Sequence, residues 1–260
     1  MKIKLLLLVI LFLPFKLVAI TGYDSGDTLN CLAVSGLKIR TEPGGNTVIG
    51  KVPYGGRVTV CPKPWGTPES NLGFTTEGIK GSWVKVKFGD ITGFVFDGFL
   101  SHLPTPSLQY SSLKDYAEGC FPRSGMKHTY RHTDEGAPEG DTMEFFTYKG
   151  NYVIFEERFG YEAYSAILTI ENTSAEECYL IARTLFRSDI DTLVYALKNH
   201  PKKSGIVQQR DIDTKIESYS TFYFTDGKYE LQLMNDGCYD IISVVQLSSN
   251  IFQIRRSSGC

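Results

Sequence analysis

The residues of this 260-residue chain that could do chemistry are six cysteines, two histidines four apart, two adjacent glutamates and a scatter of aromatic rings. The cysteines are Cys31, Cys61, Cys120, Cys178, Cys238 and Cys260, and no two have C-x-x-C spacing. A dithiol redox centre or a zinc ribbon is therefore not indicated, and all six are disulfide candidates. Cys31–Cys61 is the expected pair, since both fall on short strands of one small unit. Buried free thiols are the other reading.

His128 and His132 would share one face of a helix, the geometry of a metal site, but Glu does not follow His128. Their surroundings are rich in Gly, Pro and charge, which reads as an exposed loop; no metal and no cofactor are expected. Glu156 and Glu157 are neighbours on a strand, so their carboxylates point to opposite faces and cannot share a proton. No Gly-x-Ser-x-Gly elbow and no glycine-rich phosphate loop is present.

The elements that must position these residues begin with an address. Lys2 and Lys4 precede an apolar run from Leu5 to Leu13, and Leu17-Val18-Ala19 offers a small residue at a cleavage point. Nine helical residues rise about 14 Å, too little for a hydrocarbon core of about 30 Å. Residues 1–19 are read as a signal peptide, leaving an exported protein, periplasmic or secreted, without a transmembrane anchor. The chain's net charge of −2 splits into +3 before residue 20, +1 for 20–104 and −6 for 105–260. Without a basic footprint, nucleic acid is excluded as a partner.

Residues 20–103 read as a small β domain. Leu37–Arg40, Val48–Val52, Arg57–Cys61, Trp83–Phe88 and Gly93–Leu100 are short strands, several alternating with period two, separated by Gly and Pro turns. Such a series suggests a small barrel. These residues resemble the bacterial SH3 (SH3b) family: Leu37-Lys38-Ile39-Arg40-Thr41-Glu42-Pro43-Gly44 looks like its first signature. Val48 to Val60 is similar to its second, and Trp83-Val84-Lys85-Val86 with Thr92-Gly93-Phe94-Val95 and Leu100 to its third.

The resemblance covers under a third of the chain and implies a binding module without catalysis, whose ligand is a cell-wall peptide, peptidoglycan or an envelope protein. It also implies a groove tryptophan at Trp83, core positions at Val86 and Val95, and groove positions at Phe96 and Phe99. Phe stands where the family carries Pro and Tyr. Tyr54, in the turn after Val52, and Trp65, in a Pro-rich insertion from Pro62 to Ser82, complete the candidate binding set. Trp65 would be either a groove wall or a cap on the barrel's end.

A Pro-containing segment, 104–110, is read as a linker. Residues 111–260 are read as an α+β domain, an antiparallel sheet with two helices. Ser111–Gly119 is a short helix, and Phe121–Asp141 is a long loop. Thr142–Lys149, Tyr152–Phe159 and Glu162–Ile170 are strands. A helix begins at Thr173 with Glu176 completing a capping box, and Cys178, Ile181 and Leu185 share its face. A second helix starts after Ser188 and ends at His200-Pro201. Ile216–Thr225, Lys228–Asn235, Tyr239–Leu247 and Asn250–Arg256 return to strand.

A shift of 77 residues superposes Gly150 on Gly227, Tyr152 on Tyr229 and Gly160 on Gly237. This is either an internal duplication or shared hairpin chemistry. The fold class is thus mainly β, an SH3-like barrel followed by an α+β domain.

Three functions compete. The first is recognition of an envelope peptide, glycan or protein through the SH3b-like module. The second is a divergent cell-wall hydrolase using Cys120 or His128, although Glu118-Gly119-Cys120-Phe121-Pro122 is not the nucleophile setting of cell-wall cysteine peptidases. The third is a carrier with an apolar pocket between sheet and helices.

Overall fold

A computed structural model describes residues 23–62, 73–74, 79–131, 142–148, 153–160, 163–187, 205–210, 217–225, 228–235 and 238–260. The expected signal peptide, Trp65, His132 and the helix after Ser188 lie outside the described residues. The chain is mainly β. No helix among the described residues is long and apolar enough to cross a membrane.

The N-terminal strands are β1 (Thr28–Cys31), β2 (Leu37–Arg40), β3 (Val48–Val52), β4 (Arg57–Val60), β5 (Gly73–Phe74), β6 (Lys80–Gly81), β7 (Trp83–Phe88), β8 (Ile91–Phe96) and β9 (Leu100–Ser101). Seven of them form one antiparallel sheet in the order β3-β2-β8-β7-β4-β1-β9, while β5 and β6 pair separately. Period-two alternation places Leu37 and Ile39, Val58 and Val60, and Val84 and Val86 inside. Val95 joins the same core. β2 and β8 cross closely at Gly93, where a Cβ would stand 2.6 Å from the Ile39 side chain and 2.7 Å from the Arg40 carbonyl.

The second half contains α1 (Leu113–Cys120), β10 (His128–Arg131), β11 (Thr142–Tyr148), β12 (Val153–Phe159), β13 (Ala163–Glu171), α2 (Ala175–Leu185), β14 (Gly205–Arg210), β15 (Glu217–Thr225), β16 (Lys228–Asn235), β17 (Cys238–Ser248) and β18 (Ile251–Gly259). They build a nine-stranded antiparallel sheet, ordered β10-β11-β12-β13-β18-β17-β16-β15-β14. A shift of 77 carries the start of β10 onto the start of β14, and β11, β12 and β13 onto β15, β16 and β17. Two four-stranded meanders thus flank β18, the last strand in sequence and the middle one in space.

Two expectations for this half are corrected. The Phe121–Asp141 stretch is not all loop: β10 pairs along β11, with His128 opposite Phe145. An edge strand is paired on one side only, so it tolerates the polar composition that suggested a loop. The capping box belongs one residue later. The Ser174 hydroxyl accepts from the Glu177 N–H, and the Glu177 carboxylate accepts from the Ser174 N–H.

α1 and α2 cover one face of the sheet. Leu113 and Tyr116 from α1, and Cys178 and Ile181 from α2, meet Phe155, Leu168 and Ile254, all at most 1% exposed. The side chains of this layer form one cluster of buried residues between the helices and the sheet. The same cluster includes Leu32, Ile79 and Leu103 from the barrel side.

The expected Cys31–Cys61 bridge is absent. β1 and β4 run antiparallel with Thr28 opposite Thr59 and Asn30 opposite Arg57, so the two cysteines lie at opposite ends of the ladder. Five residues of strand separate them, about 16 Å, far beyond a disulfide's reach. Cys31, Cys61, Cys120 and Cys178 are free thiols. The disulfide joins Cys238 to Cys260, whose neighbours Tyr239 and Gly259 face each other across β17 and β18.

Candidate aromatic binding site

β7 and β8 place Trp83 directly opposite Phe96. Their ring centroids are 6.1 Å apart at 67°, and Phe96 meets Phe99 at 6.1 Å and 60°. These edge-on contacts suit the ring quadrupole. The Arg40 guanidinium lies 5.8 Å from the Trp83 ring, within cation–π range. The structure therefore brings together three of the five aromatic residues singled out from sequence.

Asp97, which sequence reasoning passed over, fixes this ridge. It sits in a short 3₁₀ turn, Asp97–Phe99, between Phe96 and β9 and is 2% exposed. Its Oδ1 accepts the Ser82 N–H at 2.5 Å, its Oδ2 accepts the Tyr23 hydroxyl, and its own N–H donates to the Ser82 carbonyl. Gly81 is required beside it, since a Cβ there would stand 2.6 Å from the Gly98 nitrogen and 2.7 Å from Asp97 Oδ1. The signal available in sequence was a lone carboxylate within an aromatic strand end, Phe94-Val95-Phe96-Asp97-Gly98-Phe99.

Phe99 packs against both hydrophobic clusters, and α2 packs on the turn that carries it. Phe99 is thereby engaged within the molecule, and Trp83 with Arg40 forms the outer part of the ridge. Tyr54 is engaged elsewhere. Its hydroxyl donates to the Pro106 carbonyl at 2.6 Å, and burial pushes its pKa up to about 12.

The segment 104–110 is bonded from both sides. The Tyr116 hydroxyl of α1 donates to the Pro104 carbonyl at 2.9 Å, opposite the Tyr54–Pro106 bond. Just upstream, Glu177 of α2 gathers the barrel's last residues. Its Oε1 accepts the Ser101 hydroxyl at 2.8 Å and the His102 N–H at 2.7 Å. The His102 ring lies between Glu177 Oε1 at 3.7 Å and Asp27 Oδ2 at 3.5 Å. The Glu177 hydrogen bond raises the His102 pKa against the effect of burial. Burial would raise the Glu177 carboxyl, but bonds from His102 and Ser101 outweigh it and hold it below its ordinary value.

Cys120, His128 and Glu157 are each engaged in local contacts. The Cys120 sulfur points at the Thr105 carbonyl, 3.8 Å away, and burial pushes its pKa up to about 11, opposite to what a thiolate nucleophile needs. His128 is exposed on β10, tilted against Phe145. Glu157 is buried and takes Lys114 at 3.2 Å and the Tyr164 hydroxyl at 3.1 Å, an arrangement that ties α1 to the sheet. No cluster of three metal-ligating side chains occurs among the described residues.

No curated protein and no solved structure matches the chain. Residues 35–101 do match the family described as bacterial SH3 domain, spanning β2 to β9 with Arg40, Trp83, Phe96 and Phe99 inside the match, and this N-terminal part of the chain is a bacterial SH3 domain.

Proposed function

We propose that the protein is an exported component of the bacterial cell envelope that recognises a cell-wall peptide, glycan or protein ligand on the Trp83 face of its SH3 domain and performs no catalysis. The observation that carries this reading is the Trp83 indole, half-buried, backed by Phe96 and flanked by Arg40. An aromatic face beside a guanidinium suits stacking on sugar or peptide planes and hydrogen bonding to carboxylates. Export is supported by the basic and apolar start of the chain and by the Cys238–Cys260 disulfide, which an oxidising compartment maintains.

The test is retention of the purified protein on insoluble peptidoglycan. Wild type is expected to sediment with it. Trp83→Ala should lose most of that retention, and Trp83→Phe should keep part of it. Sedimentation no greater than a tag control, or Trp83→Ala equal to wild type, rejects the reading. Mass spectrometry of the chain recovered from an expressing bacterium should show a mature N-terminus at Ile20.

A further inference from the structure

We propose a second binding site, in the C-terminal domain, for a small ligand with an apolar body and one anionic group. A cavity of about 490 Å³ opens at the end of the sheet where β11, β12, β13, β17 and β18 come together. Its size falls within the range of small-molecule sites, about 300–1,000 Å³.

The register explains the hollow. Met143, Arg158, Ser165 and Ser257 are successive cross-strand partners on β11, β12, β13 and β18. Arg158 follows buried Glu157, and Ser165 precedes buried Ala166, so the row stands on the face turned away from α1 and α2. Small side chains, Ala163 with the two serines, form the floor between larger walls. Met143 and Tyr239, on the same face as Arg158, supply the larger walls, whereas the Phe159 ring turns to the other face of β12 and meets Tyr164 at the rim. The Cys238–Cys260 disulfide lies beside Tyr239, which also lines the cavity, and pins that wall.

The charge defines the ligand. Arg158 is exposed and has no acidic partner among the described residues; Glu156, on the same face of β12, forms no ion pair with it. Residues 105–260 carry a net charge of −6, so the domain as a whole repels anions. A cation without an ion pair among the described residues, set over an apolar hollow in such a domain, selects a ligand whose anionic group meets Arg158 while its body covers Met143 and Tyr239. The Ser165 and Ser257 hydroxyls, 3.4 Å apart on the floor, are available to the same anionic group.

The test titrates the full chain with 4-phenylbutyrate, its amide and 4-phenylbutylamine, three probes of one shape and different charge, read by calorimetry or saturation-transfer NMR. The acid is expected to bind about tenfold more tightly than the amide, as one charge-assisted contact provides. Arg158→Gln, at an exposed position that the fold tolerates, should erase that ratio while keeping the amide's affinity. Arg158→Glu should reverse the preference towards the amine. Ala163→Trp should fill the floor and remove all three.

N-acetylphenylalanine distinguishes the source of the carboxylate. Tighter binding than phenylbutyrate marks a peptide terminus, and weaker binding a free acid; both support the site. No saturable binding of the acid up to about 10 mM, equal binding of all three probes, or an acid preference that survives Arg158→Gln overturns it.

Discussion

A carboxylate with 2% of its surface exposed needs donors, and Asp97 has them on both oxygens, from Ser82 and Tyr23. Removing it takes a charged acceptor from the Tyr23 hydroxyl and from the Ser82 N–H. Asp97→Ala should therefore cost about 2–4 kcal/mol in urea unfolding, since two donors each lose a charge-assisted bond. Because the same residue carries Phe96 on one side and Phe99 close on the other, the variant should also lose near-ultraviolet circular dichroism from Trp83. A variant with wild-type stability and spectrum would show that the ridge holds itself. The free thiols supply a second check. Thiol titration of the unfolded, unreduced chain should count Cys31, Cys61, Cys120 and Cys178 and miss Cys238 and Cys260.

Between elements, α2 reaches the barrel through Glu177, the side chain that also completes its own cap. Glu177→Ala should cost about 3 kcal/mol, combining a lost cap with barrel donors left unsatisfied. The pH dependence follows from the two partners. The Glu177 carboxyl is held below its ordinary 4.5, so its contribution is present above pH 4.5 and disappears as the pH falls through the lowered value. The His102 pKa is raised above 6.5, so its contribution is complete below pH 6.5 and disappears as the pH rises through the raised value. Stability should peak between 4.5 and 6.5, with an alkaline decline under about 1 kcal/mol because His102 is partly exposed and screened. Thermal melts of His102→Gln should lack that alkaline decline; a profile identical to wild type above pH 6.5 would exclude the contact as its source.

How much of this was legible varied with what each feature depends on. β2, β4 and β7 were readable because Leu37-Lys38-Ile39, Val58-Thr59-Val60 and Val84-Lys85-Val86 alternate, and alternation is local. β10 and β14 were not, since an edge strand needs only one partner and carries little apolar signal. The cap was displaced by one residue because Thr173 and Ser174 precede Glu176 and Glu177 in matching order, and backbone geometry alone chooses between them. The disulfide was unreadable because pairing follows strand register. Trp83 and Phe96 were legible through family likeness, whereas Asp97 was not, because its burial depends on a turn packing over it.

For the molecule as a whole, the order of strands in space matters more than their order in sequence. β18 is the final strand, yet it pairs with β13 along nine residues, Ala163 to Glu171, and with β17 on its other side. Without it the two meanders would each present a long unpaired edge, and the buried Phe252 and Ile254 would be missing from the layer beneath α2. Truncation after Asn250 should therefore yield a chain that aggregates and shows no cooperative C-terminal unfolding. Losing only the covalent closure is a milder change. Cys238→Ser keeps every ladder bond but frees a loop with a sequence separation of 22, costing about 3 kcal/mol. If β18 is the keystone, size-exclusion chromatography should separate the two variants: Cys238→Ser monomeric with a lowered urea midpoint, the truncation in the void volume. A truncated chain that stays monomeric and unfolds cooperatively would mean that the two meanders close on each other without their central strand.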